Sequence, residues 1–276
     1  MPPPARSSRP RPPPIQTFSL PYLIFPPILL AIATFITLFI HSDVSSALLW
    51  SQCHSHARLP FLTQHAHLPS FITTPLCFLT SFFQLALDAP SAAAAFAVVL
   101  AFVGGLLTVH TVEAARICNA PSVLIAWPTG PWLVLNLVGG AFVWELAIIP
   151  AFLHRAKRIL AGKRPRMPVT DHEDTNEGRH LPAAEVIAIP AAITLGFYVP
   201  TIAMLTLKTP MSVLAWLFFP VYVSVARQLV RYAVNKIRSL RDYHPGSVHF
   251  ESSRWSLVAV YAMPTLFSIS AHIVMM

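Results

Sequence analysis

Long apolar stretches alternate with short polar segments along almost the whole chain after residue 18. An α-helix of about 20 apolar residues is long enough to cross the roughly 30 Å hydrocarbon layer of a bilayer. Seven stretches approach or exceed this length: Ser19–Ile40, Ser70–Leu87, Ala92–Ala114, Pro131–Leu153, Ala183–Leu207, Met211–Val230 and Trp255–Met276. The pattern predicts an all-α, polytopic transmembrane helical bundle with about seven spans.

The composition excludes a soluble globular domain. Of the 276 residues, 55% are hydrophobic and 11% charged, and the mean hydropathy is +0.60. A soluble domain of this length carries about twice that share of charged residues. The water-facing segments are too short to build cores of their own. We therefore expect two regions, which are a disordered, proline-rich cytoplasmic tail over residues 1–18 and a transmembrane helical domain over residues 19–276.

The formal charge of +8 bears first on the orientation of the chain in the membrane. Cytoplasmic loops of membrane proteins carry the excess of lysine and arginine. With seven spans and a cytoplasmic N-terminus, all but three of the 19 basic residues lie inside, the exceptions being Arg58, Arg116 and Lys208. Basic juxtamembrane loops bind anionic lipid head groups, so the expected partner is the bilayer and not nucleic acid. The chain is predicted to be a multi-pass integral membrane protein of the endoplasmic reticulum.

Glu145 is the only charged residue in the apolar stretch Pro131–Leu153. An acid at the centre of a membrane span costs about 2.5–3.5 kcal/mol on insertion scales, so it marks a functional site by default. In apolar surroundings it is expected to stay protonated, which is the state a proton donor needs. A structural hydrogen bond between helices explains the same residue, and the candidate partners on other spans are Glu113, Tyr198, Tyr222 and Tyr261.

A second group of ionisable residues lies on the third predicted span. His110, Glu113 and Arg116 recur every three residues, which places neighbours on one flank of a helix. The trio can share protons, or Glu113 and Arg116 can form an ion pair that anchors the end of the helix. The sequence does not decide between these alternatives. Asp88 and Glu185 lie near span ends and are expected to be solvated.

The chain has two clusters of possible metal ligands, one of cysteine and histidine and one of acidic residues, and neither predicts a metal site. One polar segment contains Cys53, His54, His56, His65 and His67, but their spacing matches no known zinc or copper motif. The DHEDTNE segment, with Asp171, Asp174 and Glu177, reads as a solvated acidic stretch. The odd number of cysteines argues against a disulfide framework, although one bridge between Cys53 and Cys118 is compatible with the predicted topology. No metal is expected.

The stretch from about Leu100 to Leu240 resembles the fungal membrane-bound terpene cyclases of meroterpenoid biosynthesis, in particular the ascochlorin and ascofuranone type. The resemblance is carried above all by NLVGGAFVWELAIIPAF, by isolated acids on aromatic-rich helices, and by the lack of DDxxD and DxDD motifs. It implies an isomerase without metal or organic cofactor. Such an enzyme protonates an epoxidised or olefinic farnesyl chain on an aromatic precursor and cyclises it through carbocations. Members of the family tend to be longer, which leaves a C-terminal truncation open.

With a lipophilic prenylated substrate, Glu145 is the expected acid, and Glu113 with His110 is its relay partner or the final base. Aromatic side chains stabilise carbocations through their π faces. The residues expected to line the substrate path are Trp144, Tyr198, Tyr222 and Tyr261. The alternative is a proton-coupled transporter or another seven-helix protein without enzymatic activity, in which the same acids bind a cation or relay protons.

Overall fold

In a computed structural model of the chain, the described residues are 20–39, 46–55, 69–138, 143–161, 181–239 and 254–276. Within these ranges the chain forms helices and turns and no β-strand, which confirms the all-α prediction. The predicted tail over residues 1–18 lies outside the described residues.

The described α-helices, numbered in chain order, are α1 Leu20–Phe39, α2 Ser46–His54, α3 Ser70–Asp88, α4 Pro90–Ala115, α5 Val123–Ala126, α6 Thr129–Val138, α7 Ile149–Ala161, α8 Ala183–Ile193, α9 Val199–Leu207, α10 Pro210–Leu217, α11 Phe219–Ser239 and α12 Arg254–Met275. A 3₁₀ turn, Ile117–Asn119, follows α4. Two π turns interrupt the helical path: Trp144–Ile148 leads into α7, and Thr194–Tyr198 joins α8 to α9.

Local sequence explains the sharp turn between α9 and α10. Lys208 ends α9 in the left-handed conformation, with φ of 51°. Thr209 then caps α10 through a reciprocal capping box with Ser212, and Pro210 occupies the first turn, where its missing N–H is not needed. The turn therefore sends α10 back along α9, against which it packs.

The prediction of seven spans is confirmed only in part. Four helical segments are long and apolar enough to cross a membrane: Ser70–Asp88, Pro90–Ala115, Ala184–Leu207 and Val258–Met275. A fifth is obtained if α10 and α11, which are bent by 57° relative to each other, count as one broken span. α1 is 20 residues long, Leu20–Phe39, and contains the apolar helical stretch Tyr22–Ala33. The fourth predicted span, Pro131–Leu153, is not a straight helix.

The stretch predicted as the fourth span forms a helical hairpin. Trp132 on α6 and Trp144 on the π turn have ring centroids 5.1 Å apart, although a straight helix would separate them by about 18 Å along its axis. From the middle of α7, the Arg155 guanidinium donates to the Cys118 carbonyl oxygen, with Nε at 2.9 Å, just beyond the end of α4. The described segments on either side of residues 139–142, α6 on one side and the π turn with α7 on the other, therefore run in opposite directions.

This reversal changes the predicted topology. The ten residues of α6 extend about 15 Å, which is half the thickness of a hydrocarbon layer. Both ends of the hairpin therefore lie at one end of the bundle, together with Arg116, Arg155, Arg227 and Arg231; we call this the basic end. Arg116 was expected on the opposite side from Arg227, and this expectation is wrong. By the positive-inside rule, the basic end is the one expected to face the cytoplasm.

Labelling with a membrane-impermeant maleimide tests the hairpin. In a Cys118→Ser background, cysteines at the exposed positions Ala120 and Lys157 are expected to react from the same face of sealed vesicles. A cysteine replacing the exposed Lys208, at the opposite end of the bundle, serves as the control and is expected to react from the other face. A straight fourth span requires instead that Ala120→Cys and Lys157→Cys react from opposite faces.

Close contacts and one disulfide bond fix the neighbouring helices. A Cβ atom at Gly196, in the second π turn, would lie 2.4 Å from the backbone nitrogen of Val223, so α11 approaches this turn at a distance that only glycine allows. Cys53 on α2 is bonded to Cys77 on α3, and Cys118 is free. The suggested Cys53–Cys118 bridge is therefore wrong; Cys77, which the sequence placed inside a span, is the partner because α2 packs against α3.

Candidate functional site

A cavity of about 320 Å³ opens between α4 and α11 at the basic end. One wall is a stripe of α4 residues at helical spacing, Leu107, Thr111 and Ala114. The segment from Ala126 to Thr129 and the Trp132 side chain close the cavity on the α6 side. The opposite wall is a stripe along α11: Pro220, Val223, Ser224, Arg227, Gln228 and Arg231.

A buried ion cluster supports the α11 wall. Glu185, in the first turn of α8, has a side chain that is only 4% exposed. Arg227 binds this carboxylate through two hydrogen bonds, from Nε at 2.8 Å and from Nη2 at 3.0 Å. Arg231 reaches the same carboxylate at 3.5 Å. The expectation that Glu185 is solvated is therefore wrong, because α11 packs on α8 and provides two guanidinium groups.

Aromatic rings surround the inner end of the cavity. Trp132 lines the cavity and has ring centroids 5.1 Å from Trp144 and 6.0 Å from Phe219. Phe219 in turn contacts Phe197, which lies beside Tyr198. A continuous series of rings thus connects the two π turns through Trp132. Such a surface suits an apolar ligand and a transient positive charge.

His110 holds Trp132 in place. The Trp132 Nε1–H donates to His110 Nδ1 at 3.0 Å, so Nδ1 carries no proton and Nε2 is the protonated nitrogen. Nε2 lies 3.0 Å from the Leu124 carbonyl oxygen, to which it donates. Both ring nitrogens are occupied, and the ring is fully buried. This geometry makes His110 a positioning residue for Trp132, and its predicted role in a proton relay lacks a free ring nitrogen.

Glu113 pairs with Arg116 and not with His110. Arg116 Nη1 lies 2.7 Å from Glu113 Oε1, and Asn119 Nδ2 donates to Oε2 at 2.9 Å. Both charged side chains are partly exposed at the end of α4. Of the two alternatives left open by the spacing, the structure forms the ion pair at the helix end. A contact between His110 and Glu113 is not formed because the histidine ring turns towards α6.

Glu145 lies in the first π turn and is 5% exposed. Its Oε2 atom is buried and has no hydrogen-bond partner. In the described part of the chain, none of the four candidate partners bonds to it. A π turn often occurs at a functional site, since the wider turn redirects side chains. Glu145 follows Trp144, whose ring lies 5.7 Å from that of His110.

The predicted lining residues are dispersed. Tyr198 lies in the second π turn, and its buried Oη, like Glu145 Oε2, has no hydrogen-bond partner in the described structure. Tyr222 is 40% exposed on α11, whereas Tyr261 is half-buried on α12. Neither these tyrosines nor Trp144 and Glu145 line the 320 Å³ cavity. Trp144 adjoins it through Trp132.

Sequence reasoning missed the cavity residues Trp132, Arg227 and Arg231. A signal was present, because Ser224, Gln228 and Arg231 recur at intervals of four and three residues across the end of the apolar stretch Met211–Val230. Arg227 and Arg231 were instead assigned to a cytoplasmic segment, because arginines close to the end of a span usually mark the membrane surface.

The described residues contain no group of three or more His, Cys, Asp or Glu side chains that could hold a metal ion. In the suggested histidine cluster, Cys53 is engaged in the disulfide bond. The other members beyond His54, and the acidic stretch, fall outside the described residues: His56, His65, His67, Asp171, Asp174 and Glu177.

Comparisons with known proteins give one match. No curated protein and no solved structure matches the chain. The family model described as the CtvD domain matches residues 28–276. This match covers both walls of the cavity, both π turns and the aromatic series between them. The chain belongs to the CtvD domain family.

Proposed function

We propose that the protein is an integral-membrane terpene cyclase, of the ascochlorin and ascofuranone type, located in the endoplasmic reticulum. The CtvD domain is a cyclase-type domain of fungal meroterpenoid biosynthesis, and membership in its family supports this proposal. The proposed substrate is an aromatic precursor that carries an epoxidised or olefinic farnesyl chain. The apolar helices, which can dissolve such a chain, support a site inside the membrane. No cofactor is proposed.

The observation that carries the proposal is the unpartnered carboxyl oxygen of Glu145. A buried carboxyl group without a cation or a hydrogen-bond donor is most stable in its neutral, protonated form. A neutral carboxylic acid in a dry environment is a suitable general acid. Its neighbour Trp144 contacts Trp132, and Trp132 lines the cavity. Movement of this indole pair would bring the cavity and the acid into contact.

The proposed reaction is an isomerisation, so its atoms balance. Glu145 donates a proton either to a lone pair of the epoxide oxygen, whose C–O bond breaks with both electrons passing to oxygen, or to an alkene carbon, whose π electrons form the new C–H bond; either step leaves a carbocation. The carbocation is attacked by successive alkenes, which form the ring bonds. A C–H bond next to the last cation then releases a proton to a base. The Glu145 carboxylate and Glu113 are the proposed bases, Glu113 because it adjoins Ala114 on the cavity wall.

The cavity has a suitable size and lining for this chemistry. Its 320 Å³ lies at the lower end of the roughly 300–1,000 Å³ range of ligand pockets. Trp132, Leu107 and Val223 provide an apolar inner end, and aromatic faces next to it can stabilise positive charge. Exclusion of water protects the cation from capture.

Microsomes that contain the protein, incubated with an epoxyfarnesyl phenol, test the activity. The expected result is a cyclised product of unchanged mass that forms without an ion gradient. Microsomes lacking the protein control for spontaneous cyclisation. Recovery of unchanged substrate from folded, membrane-integrated protein would contradict the proposal for this substrate class.

A transporter is the second candidate, favoured by the broken span. The 57° bend between α10 and α11, together with the hairpin of α6 and α7, is typical of transporters that bind solutes at discontinuous helices. This candidate predicts uptake of unchanged solute, driven by a proton gradient and abolished by an uncoupler. The same microsomes distinguish the two candidates, because cyclisation changes the solute and needs no gradient.

A further inference from the structure

The cavity changes from apolar to basic along its length. On α11 the lining residues run from Pro220 and Val223 to Arg227 and Arg231. These positions cover about 16 Å along the helix axis at 1.5 Å per residue. α4 runs in the same direction, since Leu107 lines the inner end and Ala114 the basic end. The cavity therefore has the polarity of an amphiphile, with its polar end at the basic end of the bundle.

The polar end of the cavity carries excess positive charge. Arg227 and Arg231 are the charged residues among its described lining, and no acidic side chain lines it. Glu185 lies behind the wall and balances one of the two guanidinium groups. One positive charge is therefore left without a counter-ion in the described structure.

Both arginines retain free hydrogen-bond donors. Arg231 is 46% exposed and has only long contacts, 3.5 Å to Glu185 Oε1 and 3.4 Å to Gln228 Oε1. Arg227 uses Nε and Nη2 for Glu185, and its Nη1 group has no partner among the residues that the structure describes. Glu185 fixes Arg227 in place, so its remaining donors are preorganised. A guanidinium group binds carboxylates and phosphates through paired N–H donors.

We infer that this cavity binds an amphiphile with an anionic head group, held by Arg231 and Arg227, and an apolar chain directed towards Trp132. This inference rests on the proposed function and specifies its substrate as a prenylated aromatic acid that binds as the carboxylate. Thr111, Thr129 and Ser224 offer hydroxyl groups between the two ends of the cavity.

Binding to the purified full-length protein in phosphatidylcholine nanodiscs tests this inference. The probes are 3-farnesyl-4-hydroxybenzoic acid and its methyl ester, which share the chain and the ring but differ in charge. The acid is expected to bind at least about tenfold more tightly than the ester, a difference of about 1.4 kcal/mol. Arg231→Gln is expected to remove most of this preference, because it weakens binding of the acid and leaves binding of the ester unchanged.

Arg158→Gln is the matched control. Arg158 is exposed on α7 at the basic end but does not line the cavity, so this variant removes the same charge from the same face. It is expected to leave both affinities unchanged. Equal affinity of acid and ester in the unaltered protein, or equal effects of the two variants on the acid, would overturn the inference.

Anionic lipid is another source of the same chemistry. In nanodiscs that contain phosphatidylserine, the acid is expected to keep its affinity. If the acid binds in pure phosphatidylcholine but not in the presence of phosphatidylserine, the lipid competes for the cavity. This result would assign the cavity to a lipid head group and overturn the substrate assignment. Binding and product formation are measured separately, so the two failures are distinguishable. Selective acid binding without any cyclised product contradicts the proposed function alone, and cyclisation without acid selectivity contradicts this inference alone.

Discussion

Glu145→Gln is expected to lower the rate of cyclisation by at least about a hundredfold, since a positioned general acid contributes roughly 10²–10⁴-fold. Glutamine has nearly the same shape but cannot donate an acidic proton. The side chain is 5% exposed and its Oε2 bonds to no described group, so the substitution breaks no hydrogen bond of that atom. The measurement is the initial rate of product formation in microsomes with equal amounts of folded protein.

Two variants sharpen this experiment. Glu145→Asp keeps the acid and is expected to retain more activity than the glutamine variant. Asp88→Asn removes an exposed acid at the end of α3, and its rate is expected to equal that of the unaltered protein. A normal rate for Glu145→Gln would remove Glu145 from the mechanism and leave the acid to be sought elsewhere along the cavity.

Glu185→Gln is expected to destabilise the protein by about 3–5 kcal/mol, the usual cost of removing one partner from a buried ion pair. The carboxylate is 4% exposed and accepts two short hydrogen bonds from Arg227. Without it, two guanidinium groups face each other in a partly desolvated site. The measurement is the unfolding temperature of the purified protein in detergent.

The matched comparison is Glu113→Gln. It makes the same chemical change in an ion pair that is partly exposed, and such pairs contribute about 0–1 kcal/mol. The double variant Glu185→Leu with Arg227→Met replaces the buried charges by apolar groups and is expected to recover most of the lost stability. Equal destabilisation by Glu185→Gln and Glu113→Gln would show that the buried cluster does not stabilise the fold.

The all-α class could be predicted from the sequence because hydropathy gives the length of each apolar stretch, and that length indicates a helix able to cross a membrane. Five of the seven predicted spans correspond to helical segments of sufficient length in the structure, if α10 and α11 count as one. The hairpin did not follow, since hydropathy carries no information on direction. Pro131–Leu153 is apolar apart from Asn136 and Glu145, and the reversal is seen only in tertiary contacts, those of Trp132 with Trp144 and of Arg155 with Cys118. The adjacent glycines 139 and 140, which are poor helix formers, were the available signal.

The sequence identified some of the residues of the candidate site but not the contacts that these residues make. Glu145 was found because a single acid in an apolar stretch is conspicuous. The environment of Glu185 was misjudged because its partner Arg227 lies 42 residues further along the chain. His110 and Glu113 are neighbours on one helix flank, yet Trp132 and Arg116 engage them separately. Tertiary packing decided each of these cases, and spacing along one helix does not report it.

The hairpin of α6 and α7 also constrains the order of assembly during synthesis. Because its two ends share one face, its insertion moves no hydrophilic segment across the lipid. Its α6 arm donates a hydrogen bond from Asn136 Nδ2 to the Leu217 carbonyl oxygen at the end of α10 and also packs against α11; both helices are synthesised about eighty residues later. α6 is therefore synthesised before the helices against which it packs, and the cavity can be completed only once α11 has followed.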